Sequence, residues 1–244
     1  MPKDYFQFKQ FLVNQGRSAF KVGTDGVMLG SWASVENAES ILDIGTGTGL
    51  IALMLAQRTA TSPTTNTRIV ALEIHKGSCE QAMDNVSISP WKHRITVIKQ
   101  SFQDFCETGP AMFDLIVSNP PFFSDSRKPD RQEKEISRHD THLNLGELIS
   151  GVRILLAPEG KFCVILPAEE SKKMQKSGID KGLFLHRICR VCPTINLPAK
   201  RHLLEFQRRP AERVQESEIA IEGDTRHAYT GAYRELTREF YLAF

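Results

Sequence analysis

Ser40-Ile41-Leu42-Asp43-Ile44-Gly45-Thr46-Gly47-Thr48-Gly49, running on into Leu50-Ile51-Ala52-Leu53-Met54-Leu55-Ala56-Gln57, decides the fold. A short apolar run stopped by glycines reads as a buried strand, and the longer continuous run after it as a helix. Strand, turn and helix in that order begin a βαβ unit, and the unit recurs downstream. Ile69-Val70-Ala71-Leu72 is a second strand, closed by Glu73 and followed by a helix to about Val86. Ile95–Ile98 and Leu115–Val117 read as a third and fourth strand. A helix near Leu145–Leu156 leads to a fifth, Phe162–Leu166, and Leu183–Cys192 and His202–Phe206 close the set. Strands alternating with helices imply right-handed crossovers and a doubly wound α/β fold around a mostly parallel sheet, here of seven strands.

Upstream, Phe6–Val13 suggests a hairpin strand. Phe20-Lys21-Val22-Gly23-Thr24-Asp25-Gly26 is rich in turn formers, and Thr24 or Asp25 suits the cap of a short helix over Gly26–Ala33. Residues 1–34 therefore read as an N-terminal appendage and residues 35–244 as the main domain. A final helix is expected around Ala228–Phe240. No internal repeat or low-complexity tract interrupts this layout.

The glycine loop has three competing readings. A dinucleotide fingerprint wants G-x-G-x-x-G, but the third glycine is Gly49 and position 50 is leucine. A phosphate-binding P-loop needs a lysine that does not follow. What stands is D-x-G-x-G-x-G with its acid before the turn, a pattern suited to S-adenosylmethionine. Glycines let the backbone approach the ligand closely, while Asp43 can help to hold a cationic amino group. Glu73, 24 residues after Gly49, stands at the end of the next strand, where a carboxylate can accept both hydroxyls of a ribose.

Ser118-Asn119-Pro120-Pro121-Phe122 ends the fourth strand. Two prolines cannot extend it, since each lacks an N–H and has a fixed φ. Asn119 supplies a side-chain carbonyl, Pro120 a main-chain one, and Phe122 an aromatic face. Two acceptors beside a stacking platform suit a planar group that carries –NH₂. Asn-Pro-Pro also serves as an ordinary strand-ending turn, but the glycine loop and Glu73 fall at the same ends of neighbouring strands, where open α/β sheets bind ligands.

Composition narrows the class. The chain has 244 residues, 41% hydrophobic and 25% charged, with a formal net charge of +2. That is an ordinary globular balance, permitting a nucleic-acid partner without demanding one. No apolar run reaches a bilayer's thickness and no signal-peptide core opens the sequence, so the default expectation is a cytoplasmic protein without a membrane partner. A monomer is the default oligomeric state. The five cysteines form no disulfide framework, and Cys189-x-x-Cys192 reads as buried thiols rather than as half of a zinc site. His139-Asp-Thr-His142 has no evident third ligand, so no metal is expected. The charged segment Ser124–Asn144, with Arg127, Lys128, Arg131, Lys134 and Arg138, is long enough to be functional, although acids offset most of its charge.

Asp43–Gly49 together with Asn119–Phe122 resembles the class I S-adenosylmethionine-dependent methyltransferases that act on amino groups. The resemblance covers roughly residues 20–206. Phe20–Gly26 and the stretch Tyr229–Tyr241 narrow it to bacterial methyltransferases that modify N6 of the adenine next to the anticodon in a valine tRNA. It implies a Rossmann-like fold, S-adenosyl-L-methionine as cofactor and tRNA as partner. It further implies a cofactor set of Lys21, Gly23, Thr24, Asp25, Asp43, Gly45, Thr46, Gly47, Gly49, Glu73, Ser101 and Asn119, with the appendage packed over that site. The implied catalytic set is Asn119, Pro120, Pro121 and Phe122. Where the family often has an aspartate against the cofactor's adenine, this sequence has Ser101, with Asp104 three residues on. Guanine-N2 methylation of ribosomal RNA, methylation of a protein glutamine, and an RNA-binding module with a vestigial fold stand as alternatives.

Overall fold

A computed structural model describes residues 4–18, 21–60, 66–109, 111–121 and 143–244. The expected strand–helix alternation is present. After a two-stranded hairpin, β1 (Tyr5–Gln7) and β2 (Leu12–Asn14), come α1 (Thr24–Trp32), β3 (Ser40–Ile44), α2 (Leu50–Thr59), β4 (Arg68–Glu73) and α3 (Lys76–Ser87). Then follow β5 (Ile95–Lys99), α4 (Phe102–Glu107), β6 (Phe113–Ser118), α5 (Leu145–Leu155), β7 (Leu156–Pro167) and α6 (Ala168–Asp180). The chain closes through β8 (Phe184–Thr194), β9 (Arg201–Gln207), β10 (Gln215–Glu222) and α7 (Gly231–Thr237).

The main sheet has the order β10-β8-β9-β7-β6-β3-β4-β5. It holds eight strands, one more than the sequence led us to expect, and the addition is β10 at the edge. Seven of the eight run parallel, and β9 is antiparallel to both of its neighbours. The chain starts the sheet at β3, builds outward through β4 and β5, then returns to β3's other side with β6. That reversal opens a crevice at the carboxyl ends of β3 and β6, the place where ligands bind in such sheets.

Both faces of the sheet are covered. Ile41, Leu115, Val117, Ile165 and Leu203 pack toward α1 and α2, while Leu42, Ile116, Phe162, Val164 and Leu204 pack on the opposite side with residues of α5 and α6. Apart from Arg58, every residue of α2 is buried, because α1 covers its outer side. That contact is close: a Cβ added to Gly30 would stand 2.7 Å from Met54 Sδ, so a side chain there would have to displace the Met54 side chain. Burial on this scale, at about 1.5–3 kcal/mol per large apolar side chain, dominates the stability. The amino-terminal hairpin is not a loose tail. Phe8 is fully buried, and Lys9 N–H donates to the Phe240 carbonyl at 2.9 Å. Among the described residues no helix is long and apolar enough to cross a membrane.

Candidate active site

Asp43 is the last residue but one of β3 and is fully buried between the apolar Leu42 and Ile44. Its Oδ2 accepts the Thr46 hydroxyl at 2.6 Å and the Ala52 N–H, in the first turn of α2, at 3.2 Å. Its Oδ1 has no hydrogen-bond partner among the described residues. Burial pushes the carboxyl pKa up to about 7; the two hydrogen bonds act the other way, and the charge of Glu73 adds a smaller upward push. A buried carboxylate with one bare oxygen is costly, and a cationic group placed beside it would restore the charged form.

The loop after β3 keeps its shape through three left-handed glycines, Gly45, Gly47 and Gly49, with φ of 71°, 59° and 82°. A side chain at any of them would be strained. Around Gly45 and Gly47 a Cβ would meet nothing within 4 Å, so the loop presents bare backbone to open space. Thr46 is buried, with its N–H on the Leu72 carbonyl at 2.9 Å. Glu73 ends β4 as expected and is nearly buried. Its Oε2 accepts the Gly47 N–H and its Oε1 the His75 N–H, both at 2.9 Å. Each oxygen keeps a second lone pair for a ligand hydroxyl.

The strand register brings the second half of the site alongside. Ile44 pairs with Ser118, and the Ser118 hydroxyl donates to the Ile44 carbonyl at 3.1 Å. Asn119 thus leaves β6 beside the point where Gly45 leaves β3, one strand spacing away, about 4.8 Å. Asn119 and Pro120 are half-buried and Pro121 is exposed. The Asn119 amide also meets α1, with Nδ2 3.9 Å from where a Cβ on Gly26 would stand. Phe122, Phe20, the histidines 139 and 142 and the basic segment 127–138 lie outside the described residues.

The segment before α1 arrives at the same rim. Gly23 caps the helix through its carbonyl, which accepts the Val27 N–H at 3.2 Å, and Val22 N–H is held by Gln15 Oε1 at 2.9 Å. Lys21 and Thr24 are exposed. Asp25 pairs with Arg201 Nε at 2.9 Å, joining the first turn of α1 to the start of β9. Ser101 follows β5 and caps α4: its Oγ accepts the Asp104 N–H at 3.0 Å. The structure therefore brings Asp25, Asp43, the glycine loop, Glu73 and Asn119 to one edge of the sheet, with Ser101 at the end of β5. Cys189 and Cys192 are buried in β8, away from any cluster suited to a metal among the described residues.

One buttress escaped the sequence reading. Asn85 of α3 is fully buried and donates from Nδ2 to the carbonyls of Thr48 at 2.9 Å and Asn14 at 2.8 Å. Its Oδ1 accepts the Asn14 N–H at 2.9 Å. A single amide thus ties the glycine loop to β2. Gln81, one turn earlier, accepts the Arg17 N–H at 3.2 Å. Two amides at i, i+4 spacing on the buried stripe of α3 were the available signal.

These residues fit S-adenosylmethionine: a buried acid with a bare oxygen, a backbone cradle and a second acid at the adjacent strand end. Comparison with known proteins agrees. The model of the methyltransferase small domain matches residues 23–169. The chain is 44% identical over 245 aligned positions to a protein of Bacteroides thetaiotaomicron named tRNA1(Val) (adenine(37)-N6)-methyltransferase, covering 99% of each. It is 41% identical to a protein of the same name from Trichodesmium erythraeum, covering all of both. Among solved structures, a predicted O-methyltransferase from Agrobacterium tumefaciens superposes with a TM-score of 0.62 at 18% identity, over 88% of this chain and 96% of that one. At that identity the likeness speaks for the fold alone.

Proposed function

This chain belongs to the methyltransferase small-domain family of S-adenosylmethionine-dependent enzymes, and from that premise we propose that it methylates N6 of the adenine next to the anticodon, position 37, in a valine tRNA. The observation that carries this reading is the pairing of Ile44 with Ser118, which sets two hydrogen-bond acceptors beside the cofactor loop. Whole-length identity to relatives bearing that name supports the choice of substrate.

Bound S-adenosylmethionine supplies a sulfonium methyl already activated for transfer. The chain's task is the nucleophile, since the lone pair of an adenine amino group is delocalised into its ring. Asn119 Oδ1 and the Pro120 carbonyl each accept one N–H of that group, which favours a pyramidal nitrogen with its lone pair aimed out of the ring plane. Orientation of this kind is worth about 7–11 kcal/mol when the geometry is right. Pro120 and Pro121 bring no N–H of their own to compete for the acceptors. Phe122, outside the described residues, is the proposed stacking partner of the base, a contact worth about 1–3 kcal/mol. Single-stranded loops let the base splay out cheaply.

On the cofactor side, Asp43 holds the amino group, Gly45, Thr46, Gly47 and Gly49 form the backbone cradle, and Glu73 takes the ribose hydroxyls. Lys21, Gly23, Thr24 and Asp25, at the end of the appendage 1–34, close over the methionine end. Ser101, after β5, would face the cofactor's adenine.

Incorporation of labelled methyl from S-adenosylmethionine into unmodified tRNA, followed by nucleoside mass spectrometry, tests the reading. N6-methyladenosine is the expected product. N2-methylguanosine, or label in protein alone, would replace it with another acceptor. Asn119→Ala should lower kcat by at least roughly 10²-fold, the scale for one oriented hydrogen-bonding group in a transition state, and leave the cofactor Kd nearly unchanged. Retained turnover would sink the proposed role of Asn119.

A further inference from the structure

The end of β6 accounts for one base, yet a second cluster stands on the same rim. His202 is the second residue of β9 and pairs with Leu166 of β7 on one side. On the other side it lies directly opposite Arg190 of β8, so both side chains point to the face that α6 covers. The His202 Nδ1 lies 2.6 Å from the hydroxyl of Ser171, whose oxygen is also 3.2 Å from the Ala168 carbonyl. That contact fixes the ring from inside the fold. Burial, then Arg190, then Lys172 hold the imidazole below its ordinary pKa. Arg190 is paired with Glu216 of β10 at 2.7 Å, and Glu218 is its register partner on that strand. Lys172 is exposed beside Ser171.

The turn between β8 and β9 extends this cluster outward. Ile195 and Leu197 are 54% and 49% exposed, and Lys200, just before β9, is exposed as well. Two large apolar side chains stand in water there, with Lys200 on the β9 side and acids on the β10 side. Toward β10, Ile195 N–H donates to the Glu222 carbonyl at 3.1 Å and Asn196 Nδ2 to Asp224 Oδ1 at 3.1 Å. A partner seated on the lysine side needs both apolar faces and negative charge. Single-stranded nucleic acid has both, in its unstacked bases and its phosphates. The position fits the site already described. Two strand steps separate β9 from β6 in the sheet, about 10 Å at the usual spacing.

We propose that Lys172, Arg190, His202 and Lys200, with Ile195 and Leu197, form the docking surface for the RNA backbone flanking the methylated base. The inference rests on the reading of the protein as an RNA methyltransferase and adds where the strand outside the target nucleotide lies. Lysines there neutralise phosphates, the Arg190 plane can lie against a base, and the apolar pair covers the faces that unstacking exposes.

The test uses three charge reversals. Lys172→Glu and Lys200→Glu lie on the surface, and Lys181→Glu, just past the far end of α6 at the opposite rim, makes the same change in net charge elsewhere. Methyl transfer to an unmodified tRNA transcript is followed across a range of salt concentrations, with the cofactor Kd measured separately. The two surface variants should raise the KM for RNA roughly three- to tenfold and make it less salt-dependent, with the cofactor Kd unchanged. The control should stay within about twofold of wild type. A wild type that methylates RNA, with both surface variants matching the control, overturns the surface alone. So does a parallel loss of cofactor affinity, which would assign the lysines to the cofactor site. A wild type that binds S-adenosylmethionine but neither binds nor methylates RNA overturns the RNA reading and the surface with it.

Discussion

Replacing Asn85 with alanine is the sharpest test of how the cofactor loop is held. The amide serves three main-chain groups, the Thr48 carbonyl and both polar groups of Asn14. The Thr48 carbonyl bond is buried, and a buried acceptor left unpaired costs about 1–3 kcal/mol. The Asn14 groups are partly exposed and can be rehydrated, so each loses only about 0.5–1 kcal/mol. The sum is about 2–5 kcal/mol. For a domain of this size, with 1 kcal/mol worth about 2–4 °C, the midpoint corresponds to a Tm lower by about 7–14 °C. Because one of the lost bonds belongs to the glycine loop, the Kd for S-adenosylmethionine should rise as well. Thermal unfolding and calorimetric titration of the same variant measure both. A Tm shift below about 2 °C with an unchanged Kd would show that the loop holds itself and that Asn85 merely fills space.

Asp43 makes stability and binding depend on pH in opposite senses. Its folded pKa, about 7, is raised above the ordinary 3.8, so the ligand-free fold keeps a proton that the unfolded chain releases. The contribution is full below about pH 4 and is lost as pH rises through 7. Asp43→Asn should flatten that part of the stability profile. A cation at Oδ1 favours the charged form, so the affinity for S-adenosylmethionine should increase from about pH 6 to 8 with proton release; a pH-independent Kd would refute the assignment. Ser101→Ala removes a helix cap and should cost about 1 kcal/mol in denaturant unfolding. Its cofactor Kd should change less than about threefold, and a tenfold loss would mean that the hydroxyl mainly serves the ligand.

The parallel core was legible because its strands are buried on both faces and read as continuous apolar runs beside glycine turns. The carboxyl-terminal acids and the Asn-Pro-Pro turn were legible for a related reason: polar or proline residues at those strand ends have no packing role to explain them. β10 escaped because Gln215-Glu216-Ser217-Glu218-Ile219-Ala220-Ile221-Glu222 is an edge strand, exposed through its first half, and reads as a polar loop. α6 escaped because lysine and glutamate crowd it, and of its thirteen residues only Ser171, Met174 and Gly178 are buried. The Asp25–Arg201 and Asn85–Asn14 contacts carry no local signature, since their partners are 176 and 71 residues apart. Ser101 shows the converse: a motif position can be found by its place in the chain while its hydroxyl already works as a helix cap.

The clasp between the amino-terminal hairpin and residues near position 240 has a consequence for how the molecule is made. Lys9 is held by the carbonyls of Arg238, Phe240 and Phe244, and Gln57 of α2 by that of Glu239. At the usual pace of translation, about 5–20 residues per second, residues 238–244 follow the hairpin after roughly 12–48 s. Through that interval Phe8 and its neighbours lack the groups that cover them. The hairpin also braces the glycine loop through Asn85, so the catalytic half of the ribosome-bound chain waits on residues 238–244. A nascent chain stalled before α7 should therefore bind S-adenosylmethionine poorly, even with every proposed ligand residue already synthesised.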